Sequence, residues 1–174
     1  MVNCVSWKFL YPKKPIILHY HGSRIRGKAK ERRKYYQKAD SIIVSTSDLL
    51  ETLPDATYIP NPVDTELFKQ LNKHNDNSAV YIIKHQSEEN LGWAKRMAET
   101  YGLNLSFRDR VANPVPYLKS SKFLNEFSYY IDRGYVKSLS KTALEALACG
   151  LNVITGKVKL FILLSRISHF TKSM

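Results

Sequence analysis

Ser140-Lys-Thr-Ala-Leu-Glu-Ala-Leu-Ala-Cys-Gly-Leu-Asn-Val-Ile154 reads as a loop, one amphipathic helix, a glycine stop and a buried strand. Ser140 is placed to cap the helix start, and Gly150 to end it in a left-handed turn. Leu144, Leu147 and Ala148 fall at helical spacing and are expected to face inward. Glu145 is the exception, because a carboxylate among apolar neighbours is costly without a partner. Such an acid can accept two hydroxyl hydrogen bonds from a ribose. Backbone N–H groups just before it can hold a phosphate at the positive end of the helix. The alternative is a solvated helix-start acid, which the helix dipole also favours.

Outward from this block the chain alternates short apolar runs with helical stretches. Strands are predicted at Pro15–Tyr20, Ser41–Ser45, Thr57–Pro60, Ala79–Lys84, Leu103–Arg108, Ser128–Asp132 and Asn152–Thr155. Helices are predicted at Arg26–Lys38, Thr46–Leu53, Glu88–Tyr101 and Tyr117–Phe127, with a short helix or turn at Asp64–Leu71. Strands that alternate with helices imply parallel α/β sheets. The polar stretch 72–78 is the best linker candidate. The expected fold is therefore α/β, with residues 1–71 as one half and 79–156 as a compressed second half. Residues 157–174 form an atypical tail, where Leu160 to Leu164 is a dense apolar run without periodicity.

Charge is the unusual part of the composition: 27 Lys and Arg against 15 Asp and Glu, a net +12. This surplus favours anionic partners, such as phosphorylated ligands, an acidic membrane surface or nucleic acid. Cys4 and Cys149 are far apart and show no metal spacing, so no disulfide framework is expected. Cys149 reads as a small buried helix residue. His74, His85 and His169 are scattered without ligand spacing, and no metal is expected. No secretory signal is read at the start, and no segment approaches the roughly 20 apolar residues that span a bilayer. A cytoplasmic protein, peripheral at most to a membrane, is the expectation.

Two blocks together resemble one family. The first is Ala39-Asp-Ser-Ile-Ile-Val-Ser-Thr-Ser-Asp-Leu-Leu50 with Tyr58-Ile-Pro-Asn-Pro-Val-Asp-Thr-Glu-Leu-Phe68, and the second is Ser140 to Ile154. Their order and placement are similar to those of the retaining, family-4 type (group 1) glycosyltransferases, which carry two Rossmann-like domains in a GT-B fold. The loop His19-Tyr-His-Gly-Ser23 also looks like that family's N-domain loop at the cleft. The resemblance covers most of Pro15 to Ile154.

The resemblance implies two Rossmann-like halves, both incomplete here, since the family's chains are about twice as long. A fragment or broken reading frame is the matching expectation. It implies a nucleotide-sugar donor, a lipid-linked or other glycan acceptor, and sugar transfer with retention. Glu145 matches the second acid of the family's E-x7-E motif, which holds the donor ribose. The first acid is replaced by Lys137, a departure that puts turnover in question, although a Lys there can still contact a phosphate. Ser140, Lys141 and Thr142 occupy the loop that meets the pyrophosphate. Lys84 at a strand end is a candidate phosphate contact, or else a solvated lysine, and Lys95 or Arg96 lies on the next helix. His21 is the candidate catalytic-side residue, with Gly22 and Ser23 forming a ligand-approach loop. His19 is expected to be buried against the core.

The run Arg24 to Lys38 carries eight cations against Glu31 alone, a solvated face or a docking surface for an acidic membrane. With Tyr35 and Tyr36 it also fits a basic nucleic-acid module, but no recognised motif supports that reading. The competing functional expectations are thus an active transferase, an inactive remnant that binds nucleotide, and a nucleic-acid binder.

Overall fold

The computed structural model describes residues 4–22, 25–72, 76–83, 87–134 and 138–156. Ser23, Arg24, Lys84, Lys137, the centre of the expected linker and the tail 157–174 lie outside the described residues. Two compact units divide between Pro62 and Val63. Each is built on a parallel sheet with interleaved helices, the α/β architecture expected from the sequence.

The first unit holds α1 (Cys4–Leu10), β1 (Ile17–Tyr20), α2 (Ala29–Tyr36), β2 (Ser41–Val44), a 3-10 turn at Ser47–Glu51 and β3 (Thr57–Tyr58). The strands lie in the order β1-β2-β3, all parallel, with Ile17 opposite Ser41 and Ile43 opposite Thr57. Ile25, Val44, Leu49, Leu53 and Ala56 form its core, supported by Tyr20, Ala29, Tyr36 and Ile42. Because side chains alternate along a strand, Ile17 and His19 point away from this core. Both are exposed, so β1 is not the buried strand that its apolar composition suggests. His19 is likewise exposed rather than packed inside. The short α1 has no counterpart in the sequence reading, which found no periodic run before Pro15.

The second unit holds β4 (Ser78–Ile83), α3 (Glu88–Thr100), β5 (Asn104–Asp109), α4 (Tyr117–Leu124), β6 (Tyr129–Asp132), α5 (Lys141–Ala148) and β7 (Asn152–Thr155). The order is β5-β4-β6-β7, again parallel. Period-two alternation splits its interior into two layers. Val80, Tyr130 and Val153 pack with Leu124 of α4 and with Ala143, Ala146 and Cys149 on and just after α5. Ala79, Tyr81 and Ile131 pack on the opposite face with Ala94 and Ala98 of α3. Residues 63–71 belong to this unit: Phe68 is in the first layer, and Asn125 Nδ2 and Oδ1 bond Lys69 O and Leu71 N at 3.0 and 2.7 Å.

The decisive block folds largely as its residues dictate. Ser140 Oγ accepts the Ala143 N–H at 3.2 Å, capping α5. At the other end Leu151 N reaches Ala146 O, Gly150 N reaches Leu147 O, and Gly150 takes φ +84°. This is the paired hydrogen-bond pattern of a Schellman stop, where glycine avoids a Cβ penalty. A Cβ there would also press on the Gln70 side chain at 2.7 Å. The inward stripe differs from expectation: Ala143 and Ala146 are fully buried, while Leu144, Leu147 and Ala148 are half-buried. Small residues let α5 lie close on the sheet, and Leu147 fills its flank.

Candidate donor-binding cleft

In a parallel sheet whose strand order reverses, ligands bind outside the carboxyl ends at the reversal point. Here β4 leads outward to β5, and the chain then crosses back to β6 on the other side of β4. At the carboxyl ends, on the face covered by α4 and α5, lies a cleft of about 360 Å³. Ile82 and Arg108 enter it from β4 and β5, where they are register partners and so share a face. Arg110 and Asn113 follow from the loop after β5, Tyr117, Ser120 and Phe123 from α4, and Lys141, Thr142 and Glu145 from α5.

Glu145 is only 7% exposed. Burial pushes its carboxyl pKa upward, and the Lys141 ammonium, 3.7 Å from Oε1, pulls the other way. The half-exposed Lys141 also sits over the Tyr117 ring at 5.4 Å. The Arg108 guanidinium lies over the Phe123 ring, 5.6 Å from its centroid. Its Nε is buried and has no hydrogen-bond partner among the described residues. A guanidinium N–H without a partner in a cleft is a donor awaiting an acceptor. The cleft thus offers a buried acceptor-only group and three cations: chemistry for a ligand with vicinal hydroxyls at one end and negative charge at the other.

Of the residues singled out in the sequence, Lys141, Thr142 and Glu145 line this cleft. Ser140 holds the helix start on which they stand. Lys95 and Arg96 are exposed on α3, whose face packs on the other side of the sheet. Arg108 and Arg110, which line the cleft, were not singled out from the sequence. Arg108 shares its strand parity with the polar Asn104 and Ser106, so no local signal marks it; the register that sets it opposite Ile82 places it on the cleft face.

In the first unit, His21 follows the carboxyl end of β1. Its Nδ1 lies 3.2 Å from both Asn61 Oδ1 and Ser45 Oγ. His19 Nε2 is 2.6 Å from the same hydroxyl, and the two imidazole centroids are 4.1 Å apart. Gly22 is buried with φ +108°, and Arg26 packs where its Cβ would be. Arg26 in turn bonds both Asp48 carboxylate oxygens, at 2.7 and 3.0 Å, and Thr46 Oγ1 at 2.8 Å. This ties the loop after β1 to the loop after β2. His21 is therefore presented on a braced loop, exposed to solvent.

Among the described residues, no cluster of three His, Cys, Asp or Glu is placed to hold a metal ion. No helix among them is long and apolar enough to cross a membrane. No protein-family model matches the chain, and no curated protein matches it.

Proposed function

We propose that this chain is a glycosyltransferase of the retaining, two-Rossmann type, with the nucleotide of a nucleotide-sugar donor held in the second unit. The observation that carries the reading is Glu145, buried in a carboxyl-end cleft that also contains Arg108, Arg110 and Lys141. A ribose diol satisfies Glu145 with two O–H donors. The diphosphate is then met by the cations and by the start of α5, where the helix dipole adds positive potential. Positive charge at the diphosphate stabilises it as the leaving group. The resembled family is described as letting that departing phosphate assist the acceptor, so no protein nucleophile is required. In the first unit the reading assigns a sugar or acceptor hydroxyl to His21, with Gly22 allowing close approach.

Calorimetric titration with UDP, GDP and their hexose conjugates tests the donor site. Wild type is expected to bind at least one of them. Glu145→Gln and Arg108→Ala are each expected to weaken that binding at least tenfold, since hydrogen bonds to charged groups contribute about 1.5–3 kcal/mol. Equal binding by wild type and Glu145→Gln would remove the assignment.

One observation favours binding without turnover: Lys137 stands where the resembled family carries its first acid. Donor hydrolysis and transfer assays separate the two. Nucleotide binding with no release of free sugar or glycoside, and no gain on Lys137→Glu, identifies an inactive binder. The net charge alone also suits nucleic acid. That reading requires filter binding that falls steeply with salt and is insensitive to Glu145→Gln.

A further inference from the structure

The helix α1 carries an unusual surface. Trp7 is 49%, Phe9 84%, Leu10 62% and Tyr11 47% exposed. At roughly 100° per residue, Lys8 and Leu10 lie on opposite sides of the helix. Lys8 reaches along the surface toward the rest of the unit, where its Nζ bonds Asp40 Oδ2 at 2.8 Å and Lys14 O at 3.4 Å. Leu10 therefore centres the outward side, flanked by Phe9 and by Trp7, whose ring stacks on Tyr11 at 5.0 Å. A solvent-facing helix side made of Phe, Leu and Trp has no reason to be apolar unless something apolar meets it.

The surroundings indicate what that is. Helix α1 packs against α2. Exposed cations follow it: Lys13 and Lys14 just after α1, and Lys28, Lys30, Arg33 and Lys34 at and along the α2 it packs on. Between Trp7 and Lys38 the only acid is Glu31. A second copy of this chain would bring the same positive surplus and be repelled. A surface that is apolar just below and anionic on top matches both features.

We propose that the first unit docks on an anionic lipid bilayer, with Phe9, Leu10 and Trp7 entering the headgroup–acyl boundary and the α2 cations meeting lipid phosphates. Trp and Tyr are the aromatic residues that favour this depth, and cations beside an interfacial helix add electrostatic attraction. The inference is independent of the nucleotide-sugar reading.

Co-sedimentation of the full chain with phosphatidylcholine vesicles, with and without one-third phosphatidylglycerol, tests it. Binding is expected at least tenfold stronger to the anionic vesicles and weakened by salt, with a blue shift of tryptophan emission that disappears in Trp7→Phe. Phe9→Ser with Leu10→Ser changes only exposed positions, so its thermal melt should match wild type while binding drops at least tenfold. Arg33→Glu with Lys34→Glu should have a comparable effect. Undiminished binding by the Phe9/Leu10 pair, equal binding to neutral vesicles, or a solution dimer abolished by that pair would overturn the proposal.

Discussion

His19 Nε2 lies 2.6 Å from Ser45 Oγ, a contact short enough for the hydroxyl to donate directly to the ring nitrogen. The neighbours decide which atom donates. Asn61 Oδ1, 3.2 Å from His21 Nδ1, can only accept, so the ring donates there. Ser45 Oγ, also 3.2 Å from Nδ1, is then met by the same N–H, which leaves its own proton for His19 Nε2. Neutral His21 therefore carries its proton on Nδ1, and its Nε2 is left as a bare acceptor. Long-range 1H–15N spectra of wild type should show this tautomer. Ser45→Ala with Asn61→Leu should shift His21 toward the Nε2–H form. A wild-type spectrum already dominated by Nε2–H would refute the relay.

Ser140 Oγ accepts Ala143 N–H at the start of α5, and removing it exposes a helix-end donor. Ser140→Ala should cost about 1 kcal/mol in denaturant unfolding. Ser140→Asp keeps an acceptor in place and should retain stability within a few tenths of that. It also puts negative charge where the diphosphate is assigned, so nucleotide binding should fall although the fold holds. Intact affinity in Ser140→Asp would move the phosphate away from this helix end.

Tyr130 is 1% exposed and sits among the core residues between α4, α5 and the sheet. Burial first, and the nearby Asp132 carboxylate second, push its phenol pKa far upward, while hydrogen bonds to Ser140 and Thr142 oppose this. In an alkaline spectrophotometric titration Tyr130 should stay un-ionised until the unit unfolds. The sign follows from linkage: a folded pKa above the unfolded one means stability is lost as pH rises past the unfolded value near 10. Tyr130→Phe removes that loss and should flatten the alkaline limb of the stability profile. An unchanged alkaline limb would contradict the burial argument.

The α5 block was readable because capping, glycine chemistry and spacing act locally, within a few residues of Ser140 and Gly150. Strand existence was readable for the same reason, in apolar runs such as Val80 to Ile83. What escaped depends on neighbours distant in sequence. The exposure of His19 follows from β1 lying at the edge of a three-stranded sheet whose core forms on the other face. The fit of 63–71 to the second unit depends on Asn125, more than fifty positions away, bonding Lys69 and Leu71. Arg108 reads as a solvated strand end until α4 brings Phe123 beneath it. Glu145 stood out as a lone acid in a small-residue helix, yet the resemblance pointed to Lys84, outside the described residues, and to Lys95 or Arg96 as phosphate-side cations, while the sheet places Arg108 and Arg110 in the cleft.

Glu145 sets stability against binding, and the two can be measured separately. Burial raises its pKa in the folded chain, with Lys141 only partly offsetting the effect. Native protein therefore holds this proton to higher pH than the unfolded chain does. Between the two values stability falls as pH rises, and at neutral pH the ionised carboxylate is a net cost. Glu145→Gln keeps the shape and removes the charge. Its melting temperature should match wild type near pH 4 and exceed it at pH 7. Nucleotide-sugar affinity should move the opposite way, because an amide offers one acceptor oxygen where the diol needs two strong ones. A residue kept at a cost to the fold and needed by the ligand is the signature of a site under functional demand. A variant that is destabilised at pH 7 would show instead that the Lys141 pair outweighs burial, and that Glu145 serves the helix rather than a ligand.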